Sequence, residues 1–288
     1  MTGIDDLTER RWTAPETFLE AVRGRRRPDP QVGPMLVIAA DHTARGVLAA
    51  GRRGQAMADR GDMLRRLVDA LRQPGVHGFL GTADVVEDLA VLGALEGKYV
   101  FGSMNRGGIA GSSFELDDRL TGYTPEGIAE AALDGGKMLL RIDPGDPASV
   151  RTLERCGAAV SALAAQARIA MVEPFFSERT AAGLRNDLST DAVVRSIQVA
   201  SGLGSTSAYT WLKIPAVDDM RAVAAATTLP LLVLGGEVAD GNENRWATAL
   251  AQPNVRGLVI GRSLLYPEDD DVAGTVGRVV SLMQGVPR

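Results

Sequence analysis

The chain has 288 residues, 45% of them hydrophobic, and a net charge of −5. That length and composition are enough to build a sizeable core and exclude a disordered or fibrous chain. The acidic balance argues against nucleic acid as a partner, because the one basic run, Arg25 to Arg27, is short and sits in an N-terminal linker.

The N-terminus "MTGIDDLTERRW" lacks the apolar core of a signal peptide, and no stretch approaches the ~20 apolar residues that span a bilayer, so a cytoplasmic chain without a membrane partner is expected. The next segment, "APETFLEAVRGRRRPDPQVG", predicts one helix from Pro15 to Val22 and a Pro-containing linker. Residues 1–33 are therefore expected to form an N-terminal appendage. It would cover the base of the catalytic domain, residues 34–288, or contact another copy in a homo-oligomer.

Eight strand-sized apolar runs follow: "PMLVIAA" (34–40), "VHGFLG" (76–81), "KYVFGSM" (98–104), "KMLLRI" (137–142), "RIAMVE" (168–173), "YTWLKI" (209–214), "LPLLVLGG" (229–236) and "VRGLVIG" (255–261). Stretches with helical spacing separate them, several opening on Asp, Thr or Asn and closing on glycine. Strict alternation implies a parallel sheet with right-handed crossovers, and eight such units in a chain of this length predict an α/β fold, a (β/α)8 TIM barrel. An open doubly wound sheet is the competitor, since periodicity does not report closure. The sole cysteine, Cys156, excludes an internal disulfide and reads as a small apolar residue on a helix face. The longest insertion, 105–123, follows the third run and carries Gly107, Gly108 and Gly111. In a barrel it lies on the face that carries the chemistry, where it would serve either as a substrate lid or as a merely floppy loop.

The run "YTWLKIPAV" raises the functional question, because it sets Lys213 between Leu212 and Ile214 in what otherwise reads as a buried strand. A strand lysine usually points outward and snorkels. One turned into a barrel is disfavoured as an ammonium, and a partly neutral lysine can attack a carbonyl to form a Schiff base. Asp41 ends the first run, Lys137 lies in the fourth and Glu173 ends the fifth. Two acids and two amines on separate strands suit acid–base work around an imine. Arg141 lies on the same strand face as Lys137 and nearer the mouth, so either could be the pocket residue of that strand. Gly235, Gly236, Gly261 and Arg262 follow the last two runs, where barrels commonly hold phosphate, although such glycines also make tight turns. His42 could hydrogen-bond a sugar hydroxyl or serve a structural role. The only other histidine, His77, opens the second run at the opposite end, so a three-histidine zinc site is not possible within one chain. A magnesium site built on Asp41, Glu173 and substrate phosphate stays open, but would leave Lys213 unexplained.

In these residues, from Val37 to Tyr266, the chain resembles class I, Schiff-base-forming aldolases of the tagatose-bisphosphate and deoxyribose-phosphate aldolase type. "WLKIP" is similar to that family's imine-lysine segment, "MVEPFF" to its strand-five glutamate, "KMLLRID" to its strand-four lysine, and Gly261–Arg262 to its closing Gly-Arg. The resemblance implies Lys213 as nucleophile, with Glu173, Lys137 and Asp41 as catalytic partners, a phosphorylated ketose as substrate and no cofactor or metal. Two departures affect the substrate: Asp41-His42-Thr43-Ala44-Arg45-Gly46 stands where the family has Asp-Gln-Arg-Gly, and Gly-Gly-Glu stands where it has Ser-Ala-Gly. The chain also resembles an aldolase-like barrel family encoded beside inositol-catabolism genes, which implies a deoxy-keto-gluconate phosphate. A sugar-phosphate-binding barrel without turnover is the alternative of another class.

Overall fold

Strand and helix alternate until the sheet closes on itself. The computed structural model describes residues 3–31, 33–105, 108–181, 183–236 and 242–285. Its strands are β1 (Met35–Ala39), β2 (Gly78–Gly81), β3 (Tyr99–Ser103), β4 (Gly135–Ile142), β5 (Ile169–Thr180), β6 (Gly183–Asn186), β7 (Thr210–Ile214), β8 (Leu231–Leu234) and β9 (Val255–Ile260). The helices are α1 (Leu7–Thr13), α2 (Glu16–Gly24), α3 (Arg60–Arg72), α4 (Ala83–Val91), α5 (Pro125–Glu130), α6 (Ala148–Ala165), α7 (Thr190–Ser201), α8 (Met220–Ala225), α9 (Asn242–Leu250), α10 (Arg262–Leu265) and α11 (Val272–Gly285). The order β1-β2-β3-β4-β5-β7-β8-β9 closes through β9 and β1, and every pairing in the ring is parallel. The fold is therefore a (β/α)8 barrel, and the open sheet is excluded.

Strand alternation decides which side chains reach the interior. Met35, Val37, Ala39, Leu80, Phe101, Met171, Leu232 and Val259 pack together inside the ring, while Leu36, Ile38, Leu212, Ile214 and Leu258 belong to the larger core beneath the helices. Both faces of the eight ring strands are buried within the barrel, which is why those strands read as near-continuous apolar runs. The same parity fixes the question posed by Lys213: with Leu212 and Ile214 facing the helices, the lysine faces inward. The Phe101 and Trp211 rings, 6.0 Å apart and inclined by 50°, fill the barrel below it.

Three features differ from the sequence expectations. The N-terminal segment holds two α-helices, α1 and α2, rather than one. Arg11 pairs with Glu87 and Asp88 of α4, Arg25 and Arg27 with Asp134 before β4, and the Gln31 amide donates to the Tyr99 hydroxyl at the start of β3. The segment thus lies along α4 and reaches the base of the barrel, and two arginines of the basic run are spent on internal partners.

The second difference is that the fifth strand does not end at Glu173. It continues to Thr180 and turns back through β6 as an antiparallel hairpin above the rim. Pro174 does not stop it, because β5 pairs with β7 only as far as Val172 and beyond it with β4 on one side, an edge position where proline is tolerated. Third, the 105–123 loop is pinned rather than hinged. Asn105 Oδ1 accepts the Leu139 amide at 2.7 Å, its Nδ2 donates to the Asp118 carbonyl at 3.0 Å, and Thr121 and Gly122 donate to the Met104 carbonyl. Gly108 is needed for close approach, since a Cβ there would collide with the Glu115 carbonyl oxygen, while Gly111 takes a left-handed turn at φ 78°. Gly107 lies outside the described residues. Among the described residues no helix is long and apolar enough to cross a membrane.

Candidate functional site

The C-terminal ends of the strands open onto a cleft of about 610 Å³. Asp41, Lys137, Glu173 and Lys213 all line it, on or just after β1, β4, β5 and β7. Each lies on the inward parity of its strand: Asp41 continues Met35, Val37 and Ala39, and Glu173 continues Met171. Lys213 Nζ is 2.8 Å from Glu173 Oε1, Lys137 Nζ contacts Glu173 Oε2, and Lys137 Nζ lies 3.4 Å from Asp41 Oδ2. The four side chains form one chain of alternating charge, amine–acid–amine–acid. All are nearly inaccessible, Lys137 and Asp41 at 1% exposure being the deepest.

Burying four ionised groups is costly unless they compensate one another. Here two ammonium and two carboxylate groups sum to zero. Burial alone would raise the Glu173 pKa, but the charges of Lys137 and Lys213 and their hydrogen bonds outweigh it and hold the carboxyl well below the usual carboxylate range. Glu173 is therefore an ionised acceptor between two donors. The cation that bridges Asp41 and Glu173 is the Lys137 ammonium, so a magnesium ion bound by the same two acids would have to displace it. Among the described residues no group of three or more His, Cys, Asp or Glu side chains is placed to hold a metal ion. His77 lies at the other end of the barrel, its Nδ1 accepting the Leu36 amide at 3.1 Å.

Both strand-four candidates reach the cleft, at different depths. Lys137 sits in the floor and Arg141 two pleats higher, where Arg141 Nε donates to Asp118 Oδ2 at 2.8 Å. Asp118 belongs to the pinned loop, so the arginine's charge is already matched in part by the chain itself.

The elements read as a phosphate anchor are also at the mouth. Arg262 opens α10; its Nη1 donates to the Ala49 carbonyl at 3.1 Å, while its buried Nε has no partner among the described residues. A Cβ on Gly261 would collide with the Ala39 carbonyl oxygen, so glycine there lets the ends of β9 and β1 approach. Gly236 has φ 69° and opens the turn after β8. Gly235 departs from expectation: its amide donates to the Val259 carbonyl at 3.0 Å, extending the β8–β9 ladder, and so is not turned toward a ligand. Glu237, in the Gly-Gly-Glu motif, lies outside the described residues. His42 stands between the two groups, Nδ1 4.0 Å from Asp41 Oδ1. Burial first, then the cations of Arg262, Lys213 and Lys137, push its pKa well below the ordinary value, so it is neutral at physiological pH.

Sequence reasoning missed several residues that line or support the site. Ser103 donates to Asp41 Oδ2 at 3.2 Å; its parity with Phe101 was the available signal. Arg45 reaches the cleft through a short 3-10 turn, Thr43–Arg45, and Glu115 through the pinned loop. Leu184 and Leu188 come from the hairpin and its exit, and Trp246 from α9. Arg45, Glu115, Leu188 and Trp246 lie off the strands, and the short exposed β6 that carries Leu184 has no apolar run to place it. Cys156 is buried on α6, its thiol pushed up to about 12 by burial, as suits an inert packing residue.

A closed parallel barrel with a lysine–carboxylate chain in its C-terminal mouth defines the class of protein. The chain matches the Cgl0159-like family model over residues 33–280 and belongs to that family. The crystal structure of Cgl0159 from Corynebacterium glutamicum (Brevibacterium flavum) matches it with a TM-score of 0.94 at 45% identity, covering 97% of this chain and 96% of that one. A Schiff-base-forming fructose-1,6-bisphosphate aldolase matches with a TM-score of 0.62 at 15% identity, over 92% of this chain and 99% of its own. An archaeal fructose-1,6-bisphosphate aldolase matches with a TM-score of 0.66 at 16% identity, over 93% and 99%. At those identities the two aldolases show a shared fold. No curated protein matches the sequence.

Proposed function

We propose that the protein is a class I aldolase that forms a Schiff base through Lys213 and reversibly cleaves or makes a carbon–carbon bond in a phosphorylated ketose. The observation that carries this reading is the inward Lys213, 2.8 Å from Glu173, in a charge-balanced chain with Lys137 and Asp41 at the floor of an open cleft. Purely structural buried pairs have no need of a cleft above them, and perturbed ionisable groups in clefts mark functional sites.

In this mechanism the Lys213 amine, having given up a proton, attacks the substrate ketone. The carbinolamine loses its oxygen as water, with Asp41 and Lys137 handling the proton, and the resulting iminium is the electron sink. Glu173 takes the proton from the hydroxyl on the carbon that will leave. The O–H pair becomes the aldehyde C=O, the C–C pair moves toward the iminium, and an enamine remains. Protonation of the enamine carbon and hydrolysis release the second product and restore the amine. Arg262 and the backbone around Gly236 and Gly261 anchor phosphate, Arg141 and His42 contact the sugar, and Gly235 contributes space rather than a donor. Tagatose- or fructose-bisphosphate-like and deoxy-keto-gluconate-phosphate ketoses suit this chemistry, and so does a deoxyribose-phosphate-like aldose whose aldehyde takes the ketone's place in imine formation.

Borohydride reduction in the presence of a panel of ketose phosphates tests it, by intact and peptide mass. A stable secondary amine on Lys213 is expected; binding without any adduct would leave the non-catalytic sugar-phosphate barrel as the better account.

A further inference from the structure

A second cluster of charges lies on the cleft wall above Lys137. Arg45 Nη2 and Arg141 Nη1 both point at the same oxygen, Glu115 Oε1, at 3.6 and 3.7 Å. Both distances exceed the roughly 3.2 Å limit of a good N–H···O bond. Glu115 therefore neutralises the two guanidinium groups without satisfying their donors. Its other oxygen, Oε2, is held instead by the Gly111 amide at 2.8 Å, within the loop itself. Other donors of the two groups are engaged elsewhere: Arg45 Nε donates to the Gly108 carbonyl at 3.1 Å, Arg141 Nε to Asp118 Oδ2 at 2.8 Å, and Arg141 Nη2 to Asp118 Oδ1 and the Glu115 carbonyl. One donor edge of each arginine is thus aimed at a common point lined by the cleft.

The position of that point matters. In the ring order, β4, which carries Arg141, is four strands from β9 in either direction, so it stands across the barrel from Arg262. Lys213 on β7 lies between them. A ligand anchored near Arg262 and reacting at Lys213 would project its far end toward Arg45 and Arg141.

We propose that Arg45 and Arg141 form a second anion subsite, that Glu115 is its internal placeholder, and that the ligand it accepts carries an anionic group, phosphate or carboxylate, at the end remote from Arg262. The proposal rests on the reading of the cleft as a sugar-phosphate site. An oxygen placed between the two guanidinium groups makes charge-assisted bonds to both, which the carboxylate in its present position does not. Displacement requires only that the Glu115 side chain give up the Gly111 amide and swing to solvent, while Asn105 and Asp118 hold the loop base. A ligand ending in a neutral hydroxyl cannot replace the lost charge and leaves Glu115 in place.

Equilibrium binding of fructose 1-phosphate, fructose 1,6-bisphosphate and the ketose 1-phosphate bearing a carboxylate at C6 tests the proposal on the whole protein. Glu115→Gln, nearly isosteric and on a surface loop, should raise the affinity ratio of a two-ended ligand over fructose 1-phosphate by about tenfold, because the competing charge is gone. Arg45→Ala should lower the same ratio by tenfold or more. The two-ended ligand that responds identifies the group. Equal shifts for one- and two-ended ligands, or none, overturn the proposal. Borohydride trapping separates this from the aldolase reading. A Lys213 adduct with unresponsive ratios keeps the aldolase and removes the subsite. Responsive ratios without any adduct keep the subsite and remove the aldolase.

Discussion

At the residue scale, Lys213 and Glu173 have different tasks and should fail differently. Lys213→Ala is expected to abolish turnover while leaving phosphate-dependent binding largely intact, since Arg262 lies on another strand end; cleavage near the wild-type rate would reject the covalent mechanism. Glu173→Gln removes the carboxylate that both lysines share, so two buried ammonium groups lose their principal partner. Breaking a buried pair typically costs about 3–5 kcal/mol, and loss of the acid–base group should lower kcat by 10²–10⁴, to be read by urea unfolding and steady-state kinetics together. Arg262 offers a cleaner contrast, because its Nε is buried without a partner among the described residues. Arg262→Ala should weaken phosphorylated ligands by about 1.5–3 kcal/mol and scarcely affect dephosphorylated analogues, and Arg262→Lys should recover only part of the loss, a point charge replacing a fork. Parallel losses for both ligands would reduce Arg262 to a cap on the last turn.

At the element scale, the pinned loop and the hairpin were the parts that periodicity did not capture. "LLVLGG" and "GLVIGR" announce strands because burial on both faces leaves a continuous apolar run. "SERTAAGLRN" has no such run, since the hairpin stands above the rim and is packed on one side only. Glycines in 105–123 read as hinges because sequence does not distinguish freedom from close approach. The anchor of that loop is Asn105, which acts as a surrogate strand residue against β4. Asn105→Ala leaves the Leu139 amide and the Asp118 carbonyl without partners and should destabilise the fold by about 2–3 kcal/mol. It should also increase hydrogen exchange across 108–122. Unchanged protection there would mean the loop is held by its other contacts.

At the scale of the whole molecule, charge burial couples the site to stability. His42 is neutral in the folded chain, with its pKa below the ~6.5 of an unfolded histidine. The unfolded chain therefore binds the proton first, and stability is intact above about pH 6.5 and falls as pH drops below it, by at most about 1.4 kcal/mol per pH unit for each such histidine. His77 is shifted in the same direction by burial and then Lys98, so His42→Gln should remove only part of the slope seen in unfolding between about pH 7 and 5. Glu173 adds a lower window: its pKa is depressed, so its contribution is full above the ordinary ~4.3 and is lost as pH falls further, through the folded value. What the sequence by itself determined was the alternation of eight strands and helices and the placing of Asp41, Lys137, Glu173, Lys213 and Arg262 on or just after separate strands. Those follow from period and parity, which are local properties of the chain. Which groups pair was decided only by closure. Lys137 and Asp41 are 96 residues apart and Arg141 and Asp118 sit on different elements, yet burial in a shared low-dielectric cleft makes each the other's necessary counter-charge. The hairpin, the pinned loop and the Glu115 placeholder exist only because the ring of strands brings their anchors to one rim.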